Sequence, residues 1–176
     1  MSILWKVDPA HTEIQFKVKH LMITTVTGYF RNFDCEVVTE SEDFNTTTSI
    51  RFTADTDSID TNNAQRDTHL KSADFFQSAT HKQVIFVATR YEAINAEATL
   101  QGNLTIRGVT KPVALNVDFG GVVMDAYGQT KAGFTVTGRI SRKEFGLTWN
   151  AVTEAGSVVV SDEVRINAEV QLIKQQ

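Results

Sequence analysis

The sequence predicts an all-β fold: an antiparallel barrel of about eight strands with one short helical insertion, built as a single domain over residues 1–176. Three observations lead there. Apolar and polar residues alternate with a period of two along most of the chain, as in strands with one wet and one dry face. Thr, Val and 11 Phe residues crowd the sequence, and these types suit a pleated, half-buried surface. No strand–helix–strand alternation occurs, and closure removes the exposed edges of long antiparallel strands.

The elements follow in order. Ile14, Phe16, Val18 and His20 share one parity, while Glu13, Gln15, Lys17 and Lys19 take the other, which predicts a strand. A second strand region covers 26–38, with Gly28 as a bend or bulge. Ile50, Phe52 and Ala54 then alternate with Ser49, Arg51 and Thr53. The stretch 61–71 is polar and breaks the alternation, so it reads as a short helix with Thr61 or Asn62 as N-cap. Residues 72–76 return the chain to the core. Further strands are predicted at 83–90, 93–106, 111–123, 131–141 and 157–173, with Gly120-Gly121 and 125–128 as turns. In the last strand Val164, Ile166, Ala168, Val170 and Leu172 alternate with Arg165, Asn167, Glu169 and Gln171.

Composition excludes several classes. The chain has 17 Lys+Arg against 21 Asp+Glu, a net charge of −4 and no basic block, which argues against nucleic acid as a partner. No run approaches the ~20 apolar residues of a membrane span. The start, Met1-Ser2-Ile3-Leu4-Trp5-Lys6, lacks a basic region followed by an apolar one, so a cytoplasmic location is expected; a processed periplasmic form would read the same. Cys35 is the only cysteine, which excludes an intramolecular disulfide and suits a small buried residue. His11, His20, His69 and His81 are scattered without a His-x3-His pair, so no metal is expected. No Gly-x-Ser-x-Gly elbow or phosphate loop is present.

In a barrel the apolar parity points inward. Here it carries Phe16, Phe30, Phe52, Phe119 and Phe134, which can either fill a core or enclose an apolar ligand. His20, Arg139 and Arg142 on otherwise apolar runs imply an interior that is not uniformly dry.

A series of fragments then resembles one family. They are Trp5-Lys6-Val7-Asp8-Pro9-Ala10-His11; His20-Leu21 with Val26-Thr27-Gly28-Tyr29-Phe30; and Asp57-Ser58-Ile59-Asp60-Thr61-Asn62. The most specific is Asp67-Thr68-His69-Leu70 followed by Asp74-Phe75-Phe76. Gly102-Asn103-Leu104, Gly108-Val109-Thr110-Lys111-Pro112, Gly133-Phe134, Ser141 to Gly146 and Asp162-Glu163-Val164 complete the order. Over nearly its whole length the chain resembles the YceI-like family of bacterial lipocalin-like proteins associated with polyisoprenoid binding. Where that family has Tyr-Pro before the strand near Gln83, this chain has Thr80-His81-Lys82.

The resemblance implies a lipocalin-like barrel with an apolar tunnel. The implied ligand is a long isoprenoid chain, either a polyprenyl phosphate or an isoprenoid quinone, held for carriage, storage or sequestration. Each buried CH2 contributes about 0.8 kcal/mol, so such a tail binds without any catalytic group. The implied lining is Phe16, Val18, Phe30, Phe52, Phe75, Phe76, Phe119, Phe134, Ile140 and Phe145; Phe75 and Phe76 suit a plug at one barrel end equally well. Head-group donors would come from His20, Arg66, His69, Lys71 and Arg142, with Arg142 alternatively an internal partner of Asp8 or Asp67. The expected partners are the apolar lipid, a transient membrane contact and a second copy at a strand edge, with no cofactor and no catalytic residue. Two other readings remain open. One is an enzyme acting on a lipid head near His20, His69 and Arg142, with Asp67 and His69 as an acid–base pair. The other is a filled barrel serving as a stress-related interaction protein.

Overall fold

The computed structural model describes residues 1–150 and 159–176. Among them, one antiparallel sheet of eleven strands contains β1 (Ile3–Val7), β2 (Glu13–His20), β3 (Thr24–Phe30), β4 (Phe33–Thr39), β5 (Thr47–Asp55), β6 (Ile59–Asp60), β7 (Gln83–Ile94), β8 (Glu97–Ile106), β9 (Val109–Met124), β10 (Thr130–Ser141) and β11 (Val160–Lys174). The strands β1, β4, β5, β7, β8, β9, β10 and β11 pair in that order, and β1 returns to β11. The result is a closed eight-stranded barrel of lipocalin type.

The three remaining strands lengthen the wall at one end. β2 follows β1 along β11, β3 precedes β4, and β6 follows β5; β2 pairs with β3, and β3 with β6. Each pair behaves as one long strand broken once. Between β1 and β2 the break is a 3-10 turn, Pro9–His11, where the Asp8 carboxylate accepts from the Ala10 amide at 3.2 Å. Proline suits that first turn position because its missing N–H would have no partner there. Neighbours in sequence thus pair all the way round, the simplest way to close a barrel.

The predicted region 26–38 contains such a break, at Arg31-Asn32. Gly28 forms neither bend nor bulge. It stays in register opposite Phe16, and a Cβ there would fall 2.1 Å from Phe16 Cζ, so the glycine makes room for a ring. Gly120-Gly121 is not a turn either. Gly133 faces Gly121 and Phe134 faces Phe119, so Gly120 is the extra residue of a bulge within β9. At 125–128 the turn is present: Asp125 Oδ1 accepts from the amides of Tyr127 and Gln129, both at 2.9 Å. The predicted start of the last strand, at 157, lies outside the described residues.

The helix α1 (Ala64–Lys71) bridges β6 and β7 at the same end of the barrel. Its N-cap is Asn63 rather than Thr61 or Asn62, with Asn63 Oδ1 accepting from the Arg66 amide at 2.9 Å. Asp67 reaches back from the first turn, and its Oδ1 accepts from the Thr61 amide (2.9 Å) and hydroxyl (2.5 Å). The outward parity of β11 shows Arg165, Asn167 and Glu169, while Val164, Ile166 and Ala168 face inward. That is the reverse of a bilayer-crossing barrel, whose outer band is apolar.

Candidate functional site

The barrel interior holds a cavity of about 650 Å³, within the usual range for small-molecule sites. Aliphatic side chains form most of its wall, including Ile14, Val84, Leu100, Leu104, Leu115, Val117 and Ile166. Two rings lie back against the wall instead of crossing it. Phe16 covers Gly28, and Phe86 covers Gly102, where a Cβ would fall 2.4 Å from Phe86 Cζ. Side-chain-free patches of wall therefore leave the lumen open.

The end near β1 is closed by aromatic packing. Phe44 and Phe134 face the cavity with centroids 4.9 Å apart. Behind them Trp5 is fully buried (0% exposed), lies 4.7 Å from Phe44 and donates from Nε1 to Thr39 Oγ1 at 2.9 Å. At the other end α1 and the segment after it cross the barrel. Phe75 and Phe76 line the cavity there, with Phe76 edge-on to Phe30 at 5.8 Å. Arg107, from the β8–β9 turn, donates to the carbonyls of Phe75 and Gly146, both at 3.2 Å, and so ties this cover to the barrel.

Most polar side chains of the lining gather at that covered end: Lys19 and His20 on β2, Asn63, Gln65, Arg66 and His69 from the helical segment, and Arg142. Arg66 Nε donates to Thr61 Oγ1 at 2.7 Å. His69 Nε2 pairs with Asp74 Oδ2 at 2.8 Å, and its ring stands edge-on to Trp149 at 4.7 Å. The acid–base pair of His69 with Asp67 that the enzyme reading left open is not formed: Asp67 accepts from Thr61, and His69 pairs with Asp74. Lys19 and His20 make no side-chain hydrogen bond or ion pair among the described residues and are exposed where the end of β2 borders the cavity beside the helical cover, which forms the cavity's mouth.

Arg142 is 3% exposed and partners neither Asp8 nor Asp67. It donates from Nε to the Ser161 carbonyl (2.8 Å), from one terminal nitrogen to Leu147 (2.6 Å) and Trp149 (2.8 Å), and from the other to Val160 (3.2 Å). Burial pulls its pKa down, and the Asp162 charge opposes that pull. Asp8 lies toward the other end of the barrel, among His11, Lys131 and Gln171. Burial works to raise the Asp8 pKa, but hydrogen bonds from His11, Lys131 and the Ala10 amide outweigh it and hold the carboxyl below its ordinary value. Cys35 also faces the cavity, and burial pushes its thiol pKa up to about 12.

Of the side chains anticipated from sequence, Phe16, Val18, His20, Phe30, Phe52, Arg66, His69, Phe75, Phe76, Phe134, Ile140 and Arg142 border the cavity. Three lie elsewhere. Phe119 sits behind the aromatic floor, 5.2 Å from Phe134 and 5.7 Å from Phe44. Phe145, 1% exposed, packs into the core from the 3-10 turn Arg142–Phe145. Lys71 faces Asp57 at 3.8 Å. Sequence reasoning missed Ile14, Phe86, Leu104 and Ile166 as lining; alternation already put Ile14, Leu104 and Ile166 on one face, whereas Phe86 stands in the unbroken apolar run Val84-Ile85-Phe86-Val87, which shows no parity. Phe44 carried no such signal, because it stands in the short 3-10 turn Phe44–Thr46 without periodicity.

Comparison with known proteins places this geometry in context. The sequence profile of the YceI-like domain matches residues 5–172. A UPF0312 protein of Staphylococcus epidermidis is 38% identical over 167 residues, covering 93% of this chain and 94% of the relative. The crystal structure of the Campylobacter jejuni YCEI protein is similar at a TM-score of 0.76 and 32% identity, with 97% of each chain covered. A polyisoprenoid binding domain from Saccharophagus degradans, implicated in plant cell wall breakdown, shares the fold at a TM-score of 0.65 and 14% identity, over 97% of this chain and 98% of that one.

Proposed function

Because the chain belongs to the YceI-like family, we propose that it binds a long isoprenoid-type lipid inside the barrel, for carriage or sequestration rather than catalysis. The tail occupies the apolar cavity, and the head lies at the polar end among Lys19, His20 and Arg66. One observation carries this reading: the cavity is walled by hydrocarbon, while most of its polar groups are collected at one end. A slender amphiphile matches that division, because each methylene leaving water contributes about 0.8 kcal/mol and the head keeps its hydrogen bonds. The shared fold of the Saccharophagus domain supports the choice of an isoprenoid among apolar chains. A polyprenyl phosphate and an isoprenoid quinone both fit. The cations at the mouth favour the phosphate, since a charge-assisted hydrogen bond is about twice as strong as a neutral one.

Organic extraction of the purified protein, followed by mass spectrometry, tests the proposal. An isoprenoid-tailed lipid at a stoichiometric level is expected. Repeated absence of any lipid, with no uptake of added polyprenyl phosphate or quinone, would sink the reading.

A further inference from the structure

The β2–β3 turn joins the wall of the cavity mouth and projects an apolar tip. Met22 is 57% exposed and Ile23 is 76% exposed. Leu21 and Met22 both adopt positive φ, 51° and 59°. Tight hairpins of this kind favour Asn and Gly, because a side chain with a Cβ is strained there. Here the strained positions carry large hydrophobic residues, and folding gives no return for exposing Met22 and Ile23.

The surface beside the tip is basic despite the net charge of −4. Residues 14–30 contain Lys17, Lys19 and His20 and no acidic residue. Arg139, expected from its strand to moisten the interior, lies on the outer face instead, opposite Arg165 on the neighbouring strand, and Arg165 stands opposite Lys17 on the next. Like charges in directly facing positions destabilise a sheet. Arg139 has an exposed partner in Glu163 at 3.3 Å, but Arg165 and Lys17 form no ion pair among the described residues. Further along the same three strands the facing row is Thr135, Glu169 and Glu13, so of these two rows the basic one is nearer the tip, with Asp162 and Glu163 nearer still on β11.

We propose that the β2–β3 tip and this basic row dock the cavity mouth onto an anionic bilayer surface. Met22 and Ile23 enter the interfacial layer, while Lys17, Lys19 and Arg165 contact lipid phosphates and the facing cations are neutralised. Lys19 and His20 border both the docking surface and the cavity, so docking sets the mouth against the pool from which an amphiphile is drawn. The proposal rests on the lipid-binding reading for its purpose, but its test does not.

Flotation with vesicles of mixed phosphatidylglycerol and phosphatidylcholine, against vesicles of phosphatidylcholine alone, provides the test. The wild-type chain should partition to the anionic vesicles and lose that preference in high salt. Lys17→Gln with Arg165→Gln should weaken partition by about fivefold for each cation removed. Met22→Gly with Ile23→Thr should also lower it severalfold while keeping or raising the melting temperature, because glycine relieves the strained turn. Equal partition to both vesicle types, or unchanged partition of the Met22→Gly/Ile23→Thr variant, overturns the proposal. So does self-association abolished by these substitutions in place of vesicle binding, which would assign the face to a second copy. Lipid extraction from the same preparations separates the two readings. Vesicle binding by a chain that retains no isoprenoid removes only the ligand, whereas a lipid-loaded chain indifferent to vesicles removes only the docking.

Discussion

At the scale of single residues, Arg142 shows how a side chain in the cavity lining can serve the frame around it. Its guanidinium is buried, and its planar fork satisfies four backbone carbonyls on two separate segments. A guanidinium stays charged wherever it sits, so its burial is tolerable only while those hydrogen bonds persist. Lysine offers a compact ammonium without the fork and cannot reach all four acceptors. Arg142→Lys is therefore expected to lower unfolding free energy by about 3 kcal/mol, read from urea titration, since stranded buried carbonyls cost about 1–3 kcal/mol each. A loss below about 0.5 kcal/mol would show that the carbonyls find other partners. Nothing in the local sequence announced this role. Arg142 follows an alternating strand and looked equally suited to a ligand head or a carboxylate, and its acceptors are main-chain atoms that carry no sequence signature.

At the scale of elements, periodicity revealed the long strands and little else. The parity of β2 and β11 was readable because each is long, with one dry face. β1 and β6 span five and two residues, too short to display a period. The glycines were harder to read. Gly28 suggests a bulge by composition, but its function is to accept the Phe16 ring from the neighbouring strand, a relation fixed by register rather than by local sequence. That placement makes a prediction. A methyl group at Gly28 must displace the ring into the lumen, and overpacking of this kind costs about 1–3 kcal/mol. Gly28→Ala should lose stability in that range in urea titration and retain less lipid by mass spectrometry. Gly28→Ala combined with Phe16→Leu should regain lipid capacity, and failure to do so would show that the ring does not set the free volume.

At the scale of the whole molecule, the two ends of the barrel are closed by different means, and both depend on ionised groups. Toward the β1 end Lys131 bridges Asp8 and Asp125, both at 3.3 Å, so the first strand's turn is tied to the β9–β10 hairpin. Near the mouth Asp162 accepts from the Ser141 hydroxyl at 2.6 Å and the Lys143 amide at 3.0 Å, which holds the 3-10 turn carrying Arg142. Burial works to raise the Asp162 pKa, but these hydrogen bonds and the nearby cations hold it below its ordinary value, as happens at Asp8. A carboxyl whose folded pKa is depressed adds stability that is fully present above its unfolded pKa, near 3.9. That stability is lost as pH falls through the lower folded values. Lys131 behaves in the opposite sense. Burial pulls its pKa down, but the hydrogen bonds and charges of Asp125 and Asp8 raise it overall. Its contribution is present below about pH 10.4 and fades as pH rises through the higher folded value. Urea titrations across pH should therefore give a broad plateau with losses below about pH 4 and above about pH 10. Asp8→Asn should lower the plateau and flatten both limbs, since it removes a depressed carboxyl and one of the two partners of Lys131. Asp162→Asn should flatten the acid limb alone. An acid limb unchanged in both variants would mean that neither end is held by these carboxylates.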